Sequence, residues 1–232
     1  TPIKIETPKG GVNPDLKEFW HVGRNLAKDD EYRKWMHDNL IIKEVSGLSD
    51  KANSLFNQFD NLGRSLLESI ALYLNLDEEY FSKATNKGNS VMRAIHYPPV
   101  NTDEIGERAG AHEDINLITL LIGGHESGLE ILSREGQWQD ATVDEEVIIC
   151  NIGDMLQRLT NNFLLSTTHR VSASLLQSES SRYSIPFFVH PNPDWEISTL
   201  PSFFDENTPN LYTESIMAED YLQERLREIK LI

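Results

Sequence analysis

The chain of 232 residues is long enough to bury a sizeable core, and its 39% apolar and 25% charged content is that of a globular protein. Its 37 acidic side chains against 21 basic ones leave a formal charge of −16, which argues against nucleic acid or an anionic membrane surface as a partner. The single cysteine, Cys150, permits no internal disulfide and points to a cytoplasmic setting, and no run approaches the ~18–20 apolar residues of a membrane span.

The opening TPIKIETPKGG has neither an initiator methionine nor a charged-then-apolar signal pattern, and it reads as an interior segment. In NPDLKEFWHVGR, Asn13 is placed to cap a helix and Pro14 to occupy its first position. The clearest helix is LSDKANSLFNQFDNLGRSLLESIALYLNL. Its Leu55, Phe59, Leu62, Leu66, Ile70 and Leu74 recur at spacings of three and four and form one apolar stripe.

From Ser90 the texture changes to short β-type runs bounded mostly by Gly, Pro, Asn, Asp or Ser: SVMRAIHYPPV, NLITLLIGG, SGLEILS, EVIICNIGD, THRVSAS, RYSIPFFVHP and WEISTL. Cys150 lies in one of them and is expected as a buried packing residue. GDMLQRLTNN reads as one helical turn or a loop, and ESIMAEDYLQERLREIKLI as a closing amphipathic helix. Strands without long intervening helices predict a sandwich, jelly roll or barrel: a mainly β chain with flanking helices. No repeat or linker divides it. The expectation is one domain over 1–232, with a helical first third (1–89), a β core (90–200) and a C-terminal helix (213–231).

Three stretches could carry chemistry. In AHEDINLITLL, His112 and Asp114 would share a face if the run is a strand, because strand side chains alternate with period two. That spacing alone does not separate a metal site from two solvated polar residues. His169, at the start of a later β-run, would complete a set of two histidines and one carboxylate, which suits Fe(II) and leaves positions open; zinc would accept the same ligands. In RYSIPFF, Arg182 and Ser184 again share a face, and a guanidinium beside a hydroxyl can hold a carboxylate.

Taken in order, HYPPV (96–100), AGAHEDINLITLL (109–121), GLEIL (128–132), NIGDMLQRLTNN (151–162), STTHRVSAS (166–174) and RYSIPFFVHP (182–191) resemble the Fe(II)- and 2-oxoglutarate-dependent dioxygenases. The likeness is greatest to the branch that includes isopenicillin N synthase and the plant flavonoid and hormone oxygenases; DLKEFWHVGR (15–24) is similar to a segment of bacterial members. The resemblance spans nearly the whole chain and implies a double-stranded β-helix. It implies Fe(II) on His112, Asp114 and His169, and 2-oxoglutarate held at its far carboxylate by Arg182 and Ser184, with the Tyr97 hydroxyl assisting. Dioxygen and a small organic molecule would be consumed, with release of succinate and CO2.

Two features depart from the family pattern. The helix-and-strand segment that usually precedes the part corresponding to TPIKIETPKGG is expected to be absent, and Ile95 stands where plant members often carry asparagine. Three other readings stay open at this level: an isopenicillin N synthase-like oxidase that uses no 2-oxoglutarate, a zinc hydrolase, and a non-catalytic jelly-roll binding module. Arg93, on the strand leading to Tyr97, reads either as a contact for an acidic substrate or as part of a solvated face, while His96 should point away from Tyr97.

Overall fold

Period-two alternation sets the two faces of each sheet in the computed structural model, which describes residues 2, 14–99, 107–123, 128–144, 146–172 and 180–229. A five-stranded sheet runs in the order β1 (Glu18–Gly23), β2 (Val91–Tyr97), β9 (Arg182–Val189), β4 (Ile118–Ile122), β7 (Ile148–Ile152). A four-stranded sheet runs β3 (Ala109–His112), β8 (His169–Val171), β5 (Leu129–Leu132), β6 (Trp138–Asp140). A small ladder joins β10 (Glu196–Ile197) to β11 (Ile216–Met217). From β2 to β9 the chain shuttles between the two larger sheets, with one hairpin, β5–β6, made inside the smaller. This is the expected double-stranded β-helix, or jelly roll. Among the described residues no helix is long and apolar enough to cross a membrane.

The two faces of the larger sheet do different work. On its outer face Met92, Leu120, Phe187 and Val189 pack against helix α1 (Leu48–Tyr73). Phe187 is fully buried, its ring 5.0 Å from that of Phe56 and 5.2 Å from that of Phe59. The helix lies close: a Cβ on Gly63 would stand 2.8 Å from Val189 Cγ2. The line of deepest burial therefore follows Ala52, Phe56, Phe59, Gly63, Leu67 and Ala71. Of the expected stripe, Phe59 lies on this line and Leu74 is buried just past the helix end, while Leu55, Leu62, Leu66 and Ile70 flank it, partly buried. Small residues bring backbone to sheet, so they centre the contact and the leucines close its sides. On the inner face Phe19, Ile95 and Tyr97 meet Ala109, Leu129 and Val171 between the sheets.

Three local expectations are corrected, and one left open between two readings is decided. The segment around Phe19 is the strand β1, not a helix, so the first third is not helical throughout; Asn13, the expected cap, lies outside the described residues. The cause is non-local: β1 pairs residue for residue with β2, and its alternation sends Phe19 to the inner core and Val22 to the outer one. Cys150 is exposed, because β7 is an edge strand and α1 lies across β1, β9 and β4. Of the two readings of GDMLQRLTNN the helical one holds: it carries the short helix α3 (Asp154–Leu159), following α2 (Tyr80–Thr85) in chain order. The closing helix, α4, covers Ala218–Glu228 and is preceded by β11, while 230–232 lie outside the described residues.

Candidate metal centre and cosubstrate clamp

His112 ends β3, and Asp114 stands two residues on, in the bridge that carries the chain across to β4. The two are therefore not neighbours on one strand face; the turn out of β3 brings them together. His169 opens β8 directly opposite His112 in the ladder. The ligand-type atoms of His112, Asp114 and His169 all lie within 4.8 Å of one another. Asp114 Oδ1 is 3.9 Å from His112 Nε2 and 3.8 Å from His169 Nε2.

Hydrogen bonds behind these groups fix which atoms face the common point. His112 Nδ1 donates to the Gly110 carbonyl at 2.7 Å, and His169 Nδ1 to the Thr167 carbonyl at 3.0 Å. A carbonyl oxygen only accepts, so both rings carry their proton on Nδ1 and present the Nε2 lone pair. Asp114 Oδ2 accepts from Thr119 Oγ1 at 2.6 Å and from Asn151 Nδ2 at 2.9 Å, which turns Oδ1 toward the imidazoles. Asn116 Nδ2 in turn donates to Thr119 Oγ1 at 2.8 Å.

The bridge itself is held from below. Gly153, Asp154 and Met155, at the start of α3, donate their backbone N–H groups to the carbonyls of Leu117, Asp114 and Asn116. The approach leaves no room for a side chain at Gly153: a Cβ there would stand 2.2 Å from the Asn116 carbonyl oxygen. Burial, then the neighbouring His169, push the His112 pKa down to about 4. Burial alone would push Asp114 up, but the two histidines with Thr119 and Asn151 more than offset it and hold the carboxyl below its ordinary value. Asp154 goes the other way, raised to about 7 by burial and by Glu113.

Arg182 and Ser184 lie on the inner face of β9, 2% and 5% exposed, opposite Tyr97 and Ile95 of β2. The Arg182 guanidinium carbon sits 5.2 Å over the Tyr97 ring, so that ring supports the cation. Its Nε and Nη1 are buried with no hydrogen-bond partner among the described residues. A buried guanidinium with unfilled donors is costly, and a carboxylate with its paired oxygens is the group that fills them. Thr119 and Asn151 were not singled out by sequence. Period two in β7 could have placed Asn151 inward, but only the pairing of β4 with β7 brings Asn151 opposite Thr119 and so beside Asp114.

His112 and Asp114 open on a cavity of about 940 Å³ that is also lined by Phe19, Arg93, Phe188 and His190. A jelly roll with two imidazoles and a carboxylate converging at the mouth of such a cavity is the plan of a mononuclear metal oxygenase.

The profile of the 2OG-Fe(II) oxygenase superfamily matches residues 88–191. A 2OG-Fe(II) oxygenase family protein from Caulobacter crescentus is 46% identical in its crystal structure, over 99% of this chain and 75% of that one, with a TM-score of 0.89. Neurospora crassa T7H, solved with alpha-KG, is 32% identical over 93% of this chain and 67% of that one, with a TM-score of 0.81. The proline hydroxylase buaE of Petromyces alliaceus is 31% identical over 91% of this chain and 68% of its own length. This chain belongs to the 2OG-Fe(II) oxygenase superfamily, whose cofactor and cosubstrate are Fe(II) and 2-oxoglutarate. It spans 57% and 61% of the length of two further relatives, the 2-oxoglutarate-Fe(II) type oxidoreductases of Emericella nidulans (hxnY) and Aspergillus fumigatus.

Proposed function

We propose that the protein is a cytoplasmic Fe(II)- and 2-oxoglutarate-dependent oxygenase of a small organic molecule, with residues 1–232 as one catalytic domain. His112, Asp114 and His169 hold the iron; Arg182 and Ser184 hold the far carboxylate of 2-oxoglutarate, with Tyr97 beneath the guanidinium. The observation that carries this reading is the donor set: two imidazoles with Nε2 lone pairs and one carboxylate oxygen aimed at a single point. Three protein ligands of that kind suit a ferrous ion and leave coordination positions for a chelating acid and dioxygen. The unfilled donors of buried Arg182 support the second half of the assignment. Neurospora crassa T7H, solved with thymine as well as alpha-KG, supports a small-molecule substrate.

When bound, Fe(II) and 2-oxoglutarate supply oxidation by dioxygen at a substrate C–H bond with loss of CO2 and succinate. The chain's own part is positioning. Gly110 and Thr167 keep the imidazoles aimed, Thr119 and Asn151 keep Asp114 Oδ1 turned inward, and the Tyr97–Arg182 pair fixes the cosubstrate's far end.

The test is succinate formation from 2-oxoglutarate under Fe(II) and oxygen, with parallel metal stoichiometry. His112→Ala or Asp114→Ala should lose both turnover and bound iron while keeping the native circular dichroism. Arg182→Met should keep iron but raise the 2-oxoglutarate requirement by about 2–5 kcal/mol, the cost of emptying one side of a desolvated ion pair. Turnover that never needs 2-oxoglutarate would replace this reading with an oxidase whose substrate carboxylate sits on Arg182.

A further inference from the structure

His190 follows directly on the last residue of β9 and continues its inner face. Period two places it in one row with Arg182, Ser184 and Phe188, while Phe187 and Val189 turn to the outer core. Phe188 is paired with Thr119, whose hydroxyl holds Asp114, so His190 stands one inward step beyond the row that supports the triad. Ser184 and His190 are six residues apart, about 20 Å of extended strand. A cosubstrate gripped at Arg182 and Ser184 therefore leaves His190 to another molecule.

The backbone of this segment is pinned from behind. The His190 N–H donates to Ser90 Oγ at 3.2 Å, the Asn89 N–H donates to the Pro191 carbonyl at 3.2 Å, and a Cβ on Gly88 would stand 2.0 Å from the His190 carbonyl oxygen. The ring is left for the cavity, which His190 lines at 8% exposure. Among the described residues no hydrogen bond reaches its nitrogens. Burial lowers its pKa to about 4 against the pull of the Asp114 carboxylate, so near pH 7 the ring is neutral, with one N–H to donate and one lone pair to accept. A polar side chain buried this deeply on a fixed backbone is costly without a partner and ready to take one.

We propose that His190 recognises the polar group of the substrate, and that this group is uncharged: an amide or lactam, which meets a neutral imidazole through its N–H or its carbonyl. An ammonium brings three donors and a full charge to a single acceptor. A carboxylate brings its charge to a single donor, with Glu113 and Asp154 lining the same cavity. An amide asks for no charge partner at that depth. With its amide on His190, the rest of the molecule extends toward His112 and Asp114, which open on the same cavity. The inference rests on the proposed function in taking that pair as part of the reaction centre.

The test is ligand-observed NMR titration of the full chain with three probes built on one ring: cyclohexanecarboxamide, cyclohexanecarboxylate and cyclohexylmethylamine. Each is run on anaerobic protein with Fe(II) and 2-oxoglutarate, which keeps Arg182 occupied, and on metal-free protein. With Fe(II) and 2-oxoglutarate present, the carboxamide should bind roughly tenfold more tightly than either ion. His190→Leu should weaken the carboxamide by roughly tenfold and leave the two ions within about twofold, so that the preference disappears, while its titrations with Fe(II) and 2-oxoglutarate match those of the parent. His190→Gln keeps one donor and one acceptor and should restore most of the loss. Should His190→Leu fail to fold, the ranking of the three probes on the parent and on His190→Gln carries the test.

The inference is overturned if the carboxamide does not bind, if either ion binds more tightly, or if a folded His190→Leu binds the carboxamide as the parent does. Equal weakening of all three probes in His190→Leu would make His190 a residue that only shapes the wall, and overturns the inference as well. A parent that binds the carboxamide through His190 yet takes up no Fe(II) or 2-oxoglutarate would overturn the proposed function and leave recognition by His190 standing.

Discussion

At the scale of single residues, the site depends on giving each polar atom one job. Asp114 is divided: Oδ2 is occupied by Thr119 and Asn151, and only Oδ1 points at the imidazoles. Asn151→Ala and Thr119→Val should therefore weaken Fe(II) binding by ~10–100-fold with the fold intact, the usual cost of losing a group that orients a ligand. Calorimetry showing parental affinity in both variants would refute that role. His190 makes a second residue-scale prediction. Its folded pKa of about 4 lies below the ordinary 6.5, so the unfolded chain binds the proton more readily. Its contribution to stability is whole above pH 6.5 and is lost progressively as pH falls from about 6.5 to about 4. His190→Gln should show a smaller drop in urea midpoint between pH 7.5 and 4.5 than the parent, and equal drops would show that His190 is not the titrating group.

At the scale of elements, the bridge between β3 and β4 matters most, because it carries Asp114 and is set by the start of α3. A Cβ at Gly153 meets a backbone carbonyl at 2.2 Å, which cannot rotate away. Gly153→Ala should cost about 1–3 kcal/mol in denaturant unfolding and should also lower metal affinity, since Asp114 moves with the bridge. Stability lost with metal affinity unchanged would uncouple α3 from the site. The same scale shows how local signals mislead. Pro14 and the preceding Asn13 read as a helix start, yet the sheet edge offered by β2 captures Glu18–Gly23. His112 and Asp114 read as one strand face, yet the strand ends at His112. In each case the neighbours in space were the term that the local pattern lacked.

For the whole molecule, the larger sheet serves both stability and site: its outer face holds α1 and its inner face Arg182, Ser184 and Thr119, while His112 and His169 come from the smaller sheet. Phe187→Ala, removing a ring wedged between Phe56 and Phe59, should cost about 3–5 kcal/mol in urea or thermal unfolding. A cost below 1 kcal/mol would mean that α1 is not tightly seated. Ligand binding acts in the opposite sense: 2-oxoglutarate at a hundredfold excess over its Kd, added to the Fe(II)-loaded protein, should stabilise it by ~2.7 kcal/mol. That gain should shrink in Arg182→Met at the same concentration, and a full gain there would place the cosubstrate elsewhere.

By itself the sequence determined the residue types, their order along the chain and, where a strand was recognised and runs unbroken, the side of it they occupy. Backbone geometry sends residues i and i+2 the same way, so Arg182 and Ser184 could be paired from their spacing, as could the long amphipathic helix from its period. Only the tertiary structure decided what lies opposite. The placing of His169 across from His112, of Asn151 behind Asp114 and of β1 on the sheet edge each depends on contacts between residues distant in sequence, as does the exposure of Cys150. Such contacts are chosen by how the sheets pair and pack, which no local period encodes.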